Sequence, residues 1–378
     1  MPQLDELVTP ALIVDRKRLV RNIIEMAARA QSLGVALRPH AKTHKSPAIA
    51  ALQREHGATG LTVATLTEAE GFADDGVDDL LLTAPPVGDW RLERLVALAR
   101  RVRVRVALDS VEVVAALDRA CARHGVEIGY VWEVDCGVGR FGTPPGARSA
   151  QPIAEAVVTA THASFDGLLT FGGHAYGATT PDGIAAAARD EQEAIAQTVS
   201  ALADRGIEAT VRSIGSTPTS HAMRSAEGIT ELRPGNYVFY DATQVALGIV
   251  GLEHCALSVL ATVTSRPAPD RLILDSGSKA LAAERLSTLT PGFGQIDGHP
   301  RLRVERLYEE QAIVHSDEPC EIPVGARLRV VPNHACAAAN LHSRMHVVDQ
   351  DVVVDVWLVA TREWREIEAE RRPTWSIT

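Results

Sequence analysis

The chain has 378 residues, 46% hydrophobic and 23% charged, which is an ordinary globular composition and enough for one large domain plus a smaller one. Its net charge is −10 with a single short basic cluster, which argues against a nucleic-acid or anionic-membrane surface. The five cysteines (Cys121, Cys136, Cys255, Cys320, Cys336) are odd in number and lack CxxC spacing, so a reducing cytoplasm is expected rather than a disulfide framework.

The segment Met1 to Leu7 has neither a basic n-region nor an apolar h-region, so no signal peptide is expected. No apolar run approaches the roughly 20 residues of a membrane span. Ala11 to Asp15 reads as a strand that either leads into the main domain or pairs with a later one. Eight strand-like runs follow, at 36–42, 60–65, 79–85, 104–109, 129–135, 165–172, 209–216 and 231–240. Between most of them apolar residues recur at helical spacing, as in Leu92, Leu95, Val96 and Leu98, and again from Ile184 to Leu202. Strand–helix alternation implies a parallel sheet with crossover helices. We favour a closed (β/α)8 TIM-type barrel over a doubly wound open sheet, because polar residues gather at the C-terminal end of each run. After residue 250 the runs Leu257–Val263, Arg271–Asp275, Arg327–Val331 and Val352–Val359 alternate with Gly/Pro/Asp turns, the mark of a mostly β domain. The expected division is a barrel over residues 16–248, and a β-rich unit from residues 1–15 plus 249–378. The Arg/Glu-rich tail after Trp364 reads as a solvated helix or frayed end.

The first barrel run enters Arg38-Pro39-His40-Ala41-Lys42-Thr43-His44-Lys45. So many basic groups beside a core are costly unless a site uses them; a solvated basic loop is the plainer alternative. A lysine desolvated at a strand end has a lowered pKa and a nucleophilic amine, as a Schiff-base lysine requires. The loops after later runs carry Asp135 to Arg140, Gly172 to Gly177, Ile214 to Thr219 and Arg233 to Tyr237. The last two offer Gly-backed amides and hydroxyls where barrels bind phosphate. With Lys42 they describe a pyridoxal-phosphate site. A second constellation is Pro332-Asn333-His334-Ala335-Cys336. In extended chain His334 and Cys336 would share one face, and imidazole plus thiolate suits Zn²⁺ better than Mg²⁺ or Mn²⁺. A buried cysteine beside a structural histidine is the alternative.

These motifs, with Glu133-Val134-Asp135, Gly173-His174-Ala175-Tyr176-Gly177 and Asp241-Ala242-Thr243-Gln244, resemble the D-serine dehydratase and D-threonine aldolase family, in order and over nearly the whole chain. That family is related to alanine racemase by fold. The resemblance implies a pyridoxal-phosphate barrel plus a β domain, usually dimeric, with a divalent metal at the substrate β-hydroxyl. It implies Lys42 as the Schiff-base lysine. Arg140, Tyr176, Gly215, Ser216, Thr217, Gly235 and Asn236 would contact the cofactor, and His334 and Cys336 would hold the metal.

Two departures from the aldolase pattern point to the dehydratase branch. The metal pair is His334-x-Cys336 where aldolases tend to have His-x-Asp, and the residue six after Tyr176 is Asp182 where they tend to have histidine. A third departure is Gln311 in Glu309-Glu310-Gln311-Ala312, where the family usually has histidine. The expected activity is therefore a pyridoxal-phosphate- and zinc-dependent lyase. It would convert a small D-3-hydroxy amino acid to a 2-oxo acid and ammonia, with Lys42, Tyr176, His334 and Cys336 at the chemistry. Retro-aldol cleavage to glycine and an aldehyde is the rival. A non-catalytic pyridoxal-phosphate-binding protein would share Lys42 and the phosphate loops without needing the metal pair.

Overall fold

The computed structural model describes residues 2–361; the Arg/Glu-rich tail lies outside the described residues. Strand β1 (Ala11–Asp15) ends on Asp15, whose side chain accepts from the Arg18 amide at 2.9 Å and caps the helix Arg16–Ser32. Eight parallel strands follow, and they fall on the eight apolar runs. They are β2 (Ala36–Leu37), β3 (Leu61–Val63), β4 (Asp79–Leu82), β5 (Arg103–Leu108), β6 (Ile128–Glu133), β7 (Ala163–Leu169), β8 (Val211–Ile214) and β9 (Glu231–Leu232). They lie in sequence order except that β2 pairs with β9. A parallel bridge between His40 and Thr62, with the Thr62 amide donating to Pro39 O at 2.8 Å, closes the sheet into a barrel.

Alternation along these strands builds two apolar layers. Leu80, Leu82, Val106, Leu108, Tyr130, Trp132 and Leu168 join the main core with the surrounding helices, each large aliphatic contributing roughly 1.5–3 kcal/mol by burial. Leu81, Ala107, Val131 and Leu169 form a separate cluster inside the barrel. Above and below it the lumen is ionic. Arg38 donates to Glu231 (2.6 Å) and to Asp79 (2.7 Å), and Ser213 links Glu231 to Arg233 by bonds of 2.7 and 2.8 Å. A buried arginine alone would be prohibitive; paired with two carboxylates it stays charged. Gly60 must lack a side chain, because a Cβ there would lie 2.3 Å from Arg38 Nη1.

The rest of the chain forms a nine-stranded sheet with β10 (Leu257–Ala268), β11 (Arg271–Leu274), β12 (Gln295–Ile296), β13 (Leu302–Leu307), β14 (Ala312–Ser316), β15 (Arg327–Val331), β16 (Arg344–Asp349) and β17 (Val352–Leu358). Its order is β11-β14-β13-β12-β15-β10-β1-β16-β17. An additional β10–β11 pairing closes the first six strands into a ring. The N-terminal strand therefore pairs with the later sheet, antiparallel to β10 and parallel to β16. Among the described residues no helix is long and apolar enough to cross a membrane. All five cysteines are free.

Candidate active site

The C-terminal ends of the barrel strands face the loop after β15 across a cavity of about 370 Å³. Its walls include Lys42, Tyr176, Ser216, Thr217, Gly235, Asn236, His334 and Cys336. Arg140 lines a smaller adjoining cavity of about 160 Å³, which Lys42 and Arg233 share. Of the residues expected at the site, only Gly215 lines neither.

Lys42 does not end its strand. The named strand ends at Leu37, its backbone bonding continues through the His40 amide to Pro234 O at 3.0 Å, and Lys42 sits beyond it in the 3-10 turn Ala41–Thr43. Its amine lies 5.8 Å from the Phe171 ring centroid. Burial lowers its pKa; the Cys336 thiolate opposes that shift and Arg140 assists it. The turn is fixed on both sides. His44 is fully buried, with Nδ1 accepting from the Ser46 amide (3.0 Å) and Nε2 facing Gln53 Oε1 (3.2 Å). Gln53 in turn donates to the Tyr237 hydroxyl (3.0 Å) on the loop after β9. Lys45, at φ +50°, reaches Asn340 at 2.8 Å and Glu68 at 3.4 Å.

Arg140 stands on a loop organised by Asp135, whose carboxylate accepts from the amides of Gly137, Val138 and Gly139. Its guanidinium lies 4.9 Å from the Phe171 centroid and 4.0 Å from Glu133. Tyr176 is in the 3-10 turn Gly173–Gly177 after β7, and burial followed by the Cys336 charge pushes its pKa far up, so it is a neutral hydroxyl. After β8, Ser216 caps the short helix Thr217–Ala222. The Gly215 amide does not face the cavity; it donates to Glu191 Oε1 at 3.0 Å. After β9, Gly235 is needed as glycine, since a Cβ would meet His40 O at 2.9 Å. Asn236 Nδ2 donates to Asp241 Oδ2 at 2.5 Å, and its Oδ1 is buried without a partner among the described residues.

The His334-x-Cys336 segment is not extended as expected. His334 (φ −133°, ψ 103°) is the cap residue of the helix Ala335–Leu341, and Cys336 lies in its first turn. Strand periodicity fails because Asp241 Oδ2 accepts from the Ala335 amide at 2.9 Å and starts the helix there. The two side chains still meet. Burial disfavours the imidazolium and the thiolate alike, but each stabilises the other, so His334 is pushed up and Cys336 pulled down. Cys336 Sγ contacts Thr43 Oγ1 at 3.2 Å, and His334 Nδ1 is hydrogen-bonded to Glu284.

Among the described residues no group of three or more His, Cys, Asp or Glu side chains is placed to hold a metal. The pair nevertheless fits a two-ligand site with open positions: a thiol drawn toward thiolate, and an imidazole oriented by a carboxylate at its other nitrogen. For pyridoxal phosphate the fit rests on the desolvated Lys42 amine and on Asn236 Oδ1, a buried polar atom on a cavity-lining residue with no partner among the described residues. Glu284 and Glu191 carried no sequence signal; Thr43 stood unremarked inside the basic octapeptide. Asp182 is exposed in the first turn of the helix Pro181–Ala203, and Gln311 is exposed between β13 and β14. Neither lines the cavity.

Residues 14–243 match the family described as alanine racemase, N-terminal domain, and residues 256–348 match the putative serine dehydratase domain. The chain is 36% identical over 370 residues to the D-threo-3-hydroxyaspartate dehydratase of Delftia sp. (strain HT23), covering 92% of this chain and 96% of that one. The structure of that enzyme superposes with a TM-score of 0.88, covering 95% of this chain and 99% of that one, at 34% identity. One of its mutants has been solved in a metal-free form. The D-threonine aldolase of Arthrobacter sp is 33% identical over 358 residues, covering 94% of this chain and 92% of that one. The D-serine dehydratase of Dictyostelium discoideum is 30% identical over 377 residues, covering 92% and 95%. With matches of this length on both halves, the chain belongs to the alanine racemase-like family that includes the D-serine dehydratases and D-threonine aldolases.

Proposed function

We propose that the chain is a pyridoxal-phosphate- and zinc-dependent dehydratase that converts a small D-3-hydroxy amino acid to a 2-oxo acid and ammonia. Membership of the family carries the lyase class. The cofactor would be held by residues 16–248, and the metal by the unit formed from residues 1–15 and 249–378. We read the enzyme as a cytoplasmic homodimer, the compartment from its five free cysteines and the dimer from the family pattern.

Lys42 would bind the cofactor aldehyde, with Tyr176, Ser216, Thr217, Gly235 and Asn236 around the phosphate end and Arg140 toward the ring. When bound, pyridoxal phosphate supplies an electron sink for the charge left at the substrate α-carbon. His334 and Cys336 would hold zinc, or another divalent ion such as Mn²⁺ or Mg²⁺, which supplies Lewis-acid assistance to a departing β-hydroxyl. Lys42 is the proton acceptor at the α-carbon. Burial lowers its pKa and so favours the uncharged amine, and Thr43 and Lys45 hold the turn that aims it. Tyr176 stays protonated and orients by hydrogen bonding.

The observation that carries dehydration over aldol cleavage is the set of imidazoles on the cavity wall. Cleavage of Cα–Cβ needs a base at the β-hydroxyl. Only His40 and His334 line the cavity among the described residues. Burial, aided by Lys42 and Arg233, holds His40 neutral and well below the usual histidine range, and His334 is paired with Glu284 and Cys336. The substitution at Asp182 adds nothing to this choice, since Asp182 is exposed and off the cavity wall. Aldolases stand beside dehydratases among the relatives, so the alternative stays specific: glycine and an aldehyde. The test incubates the holoenzyme with D-serine, D-threonine and 3-hydroxy-D-aspartate and quantifies 2-oxo acid, ammonia and glycine separately. Equal 2-oxo acid and ammonia support dehydration; glycine as the main product refutes it.

A further inference from the structure

Glu191 is a fully buried carboxyl on the helix Pro181–Ala203, and no role above uses it. Its Oε1 accepts two backbone amides from different loops: Gly172 at 2.5 Å and Gly215 at 3.0 Å. Gly172 opens the turn that carries Tyr176, and Gly215 precedes Ser216 and Thr217. Both glycines are required. A Cβ at Gly172 would lie 2.7 Å from Glu191 Cδ, and Gly215 has φ +111°. A long contact from Ser216 Oγ to Gly172 O, 3.5 Å, and a side-chain bond between Tyr176 and Thr217 also cross this junction. Glu191 Oε2 is buried without a hydrogen-bond partner in range among the described residues, and the Thr219 hydroxyl is the side-chain group that acts on the carboxyl. One oxygen therefore sets the separation of two loops whose tips form adjacent walls of the cavity.

We propose that Glu191 is the positioning residue of the phosphate-binding wall, joining the loops after β7 and β8 at the spacing a phosphate monoester requires without itself touching the ligand. This rests on the reading that Ser216, Thr217, Gly235 and Asn236 take the cofactor phosphate. Burial raises the Glu191 pKa, and the Thr219 hydroxyl, the Gly172 and Gly215 amides and Arg233 oppose that shift. The backbone N–H groups it consumes are the cost of fixing the wall.

The test compares two ligands on the full-length chain stripped of cofactor: pyridoxal phosphate and unphosphorylated pyridoxal, followed by visible absorbance. Glu191→Ala is expected to lower affinity for the phosphate ester at least ~10-fold, the worth of about one charge-assisted hydrogen bond, while pyridoxal affinity changes less than ~2-fold. Glu191→Gln keeps the accepting oxygen and places its NH₂ where Oε2 has no partner, so it should stay within ~3-fold of wild type. Should Glu191→Ala yield no folded protein, Glu191→Asp carries the same test, since its carboxyl falls one methylene short of both amides and should lose the phosphate selectivity. Equal loss for both ligands, or full selectivity in the Ala or Asp variant, overturns the proposal. A wild-type chain that binds both ligands alike overturns the phosphate wall itself, and the Glu191 role with it.

Discussion

The Lys42 turn and the His334–Cys336 elbow face the same cavity, but their reactivity has opposite physical origins. Lys42 is shifted mainly by burial; among the described residues no carboxylate is ion-paired with its amine, and Glu68 opposes the shift less than burial drives it. The elbow is shifted by mutual charge: imidazolium and thiolate each hold the other ionised against the burial that disfavours both. Desolvation is a property of the surrounding packing and survives changes at single neighbours. A charge pair is cooperative and collapses when either member goes. The first half should therefore respond to loss of Lys42 itself, and the second to loss of either partner equally.

The largest effect tests the first half. Lys42→Ala should abolish visible cofactor absorbance and lower turnover by at least ~10³-fold, because both covalent attachment and the proton acceptor go. Borohydride reduction of the wild-type holoenzyme should fix the cofactor on Lys42. Label on Lys45 or Lys279 would reassign the attachment.

Next comes the elbow. A chelator should stop turnover while leaving the cofactor colour, and zinc should restore it. His334→Ala and Cys336→Ala should each cost at least ~10²-fold in kcat with little change in cofactor affinity, the two losses being similar. Glu284→Gln should weaken metal affinity by about 10–100-fold through the imidazole it orients. Strongly unequal losses at His334 and Cys336 would break the comparison.

A smaller effect is expected on the cofactor wall. Asn236→Ala should weaken cofactor affinity by about tenfold, with less effect on turnover at saturating cofactor. The route differs from the one the sequence suggests. Asn236 Nδ2 is already committed to Asp241, which also accepts the Ala335 amide, so the substitution loosens the wall and the elbow through one carboxylate. Unchanged affinity would sever that link.

How far each half was legible follows from range. The eight barrel strands are contiguous apolar runs, and their C-terminal loops announce themselves by composition, so Lys42, Arg140, Tyr176, Ser216, Thr217 and Asn236 could be assigned to the segments that follow the strands. The β unit was only partly visible. Leu302–Leu307 carries Arg303, Glu305 and Arg306, Gln295–Ile296 is two residues long, and the ring closes through a β10–β11 pairing that local pattern does not specify. The elbow was misjudged as extended because the group that starts its helix, Asp241, is ninety-four residues away. Glu191 was hidden for the same reason: one of two glutamates on an alanine-rich helix, it becomes informative only when two glycine amides converge on it.

The smallest effect concerns how the Lys42 turn is held. His44 is buried and neutral, linked through Gln53 to Tyr237, and burial depresses its pKa from 6.5 to about 4 despite bonds to Gln53 and Ser46 that oppose the shift. In the unfolded chain the same ring takes up a proton near pH 6.5. Between those values the unfolded state binds more protons than the folded one, so stability falls as pH drops from about 6.5 toward 4 and levels off below. At pH 5 this single group should remove about 2 kcal/mol relative to pH 7.5. Chemical denaturation of the full chain at the two pH values measures the total change, and His44→Gln removes this share of it. The variant should show a shallower pH slope even if its stability at pH 7.5 is lower. A slope equal to wild type would mean that His44 titrates normally. The turn would then be reachable by water, and the Lys42 amine two residues away would no longer owe its reactivity to burial.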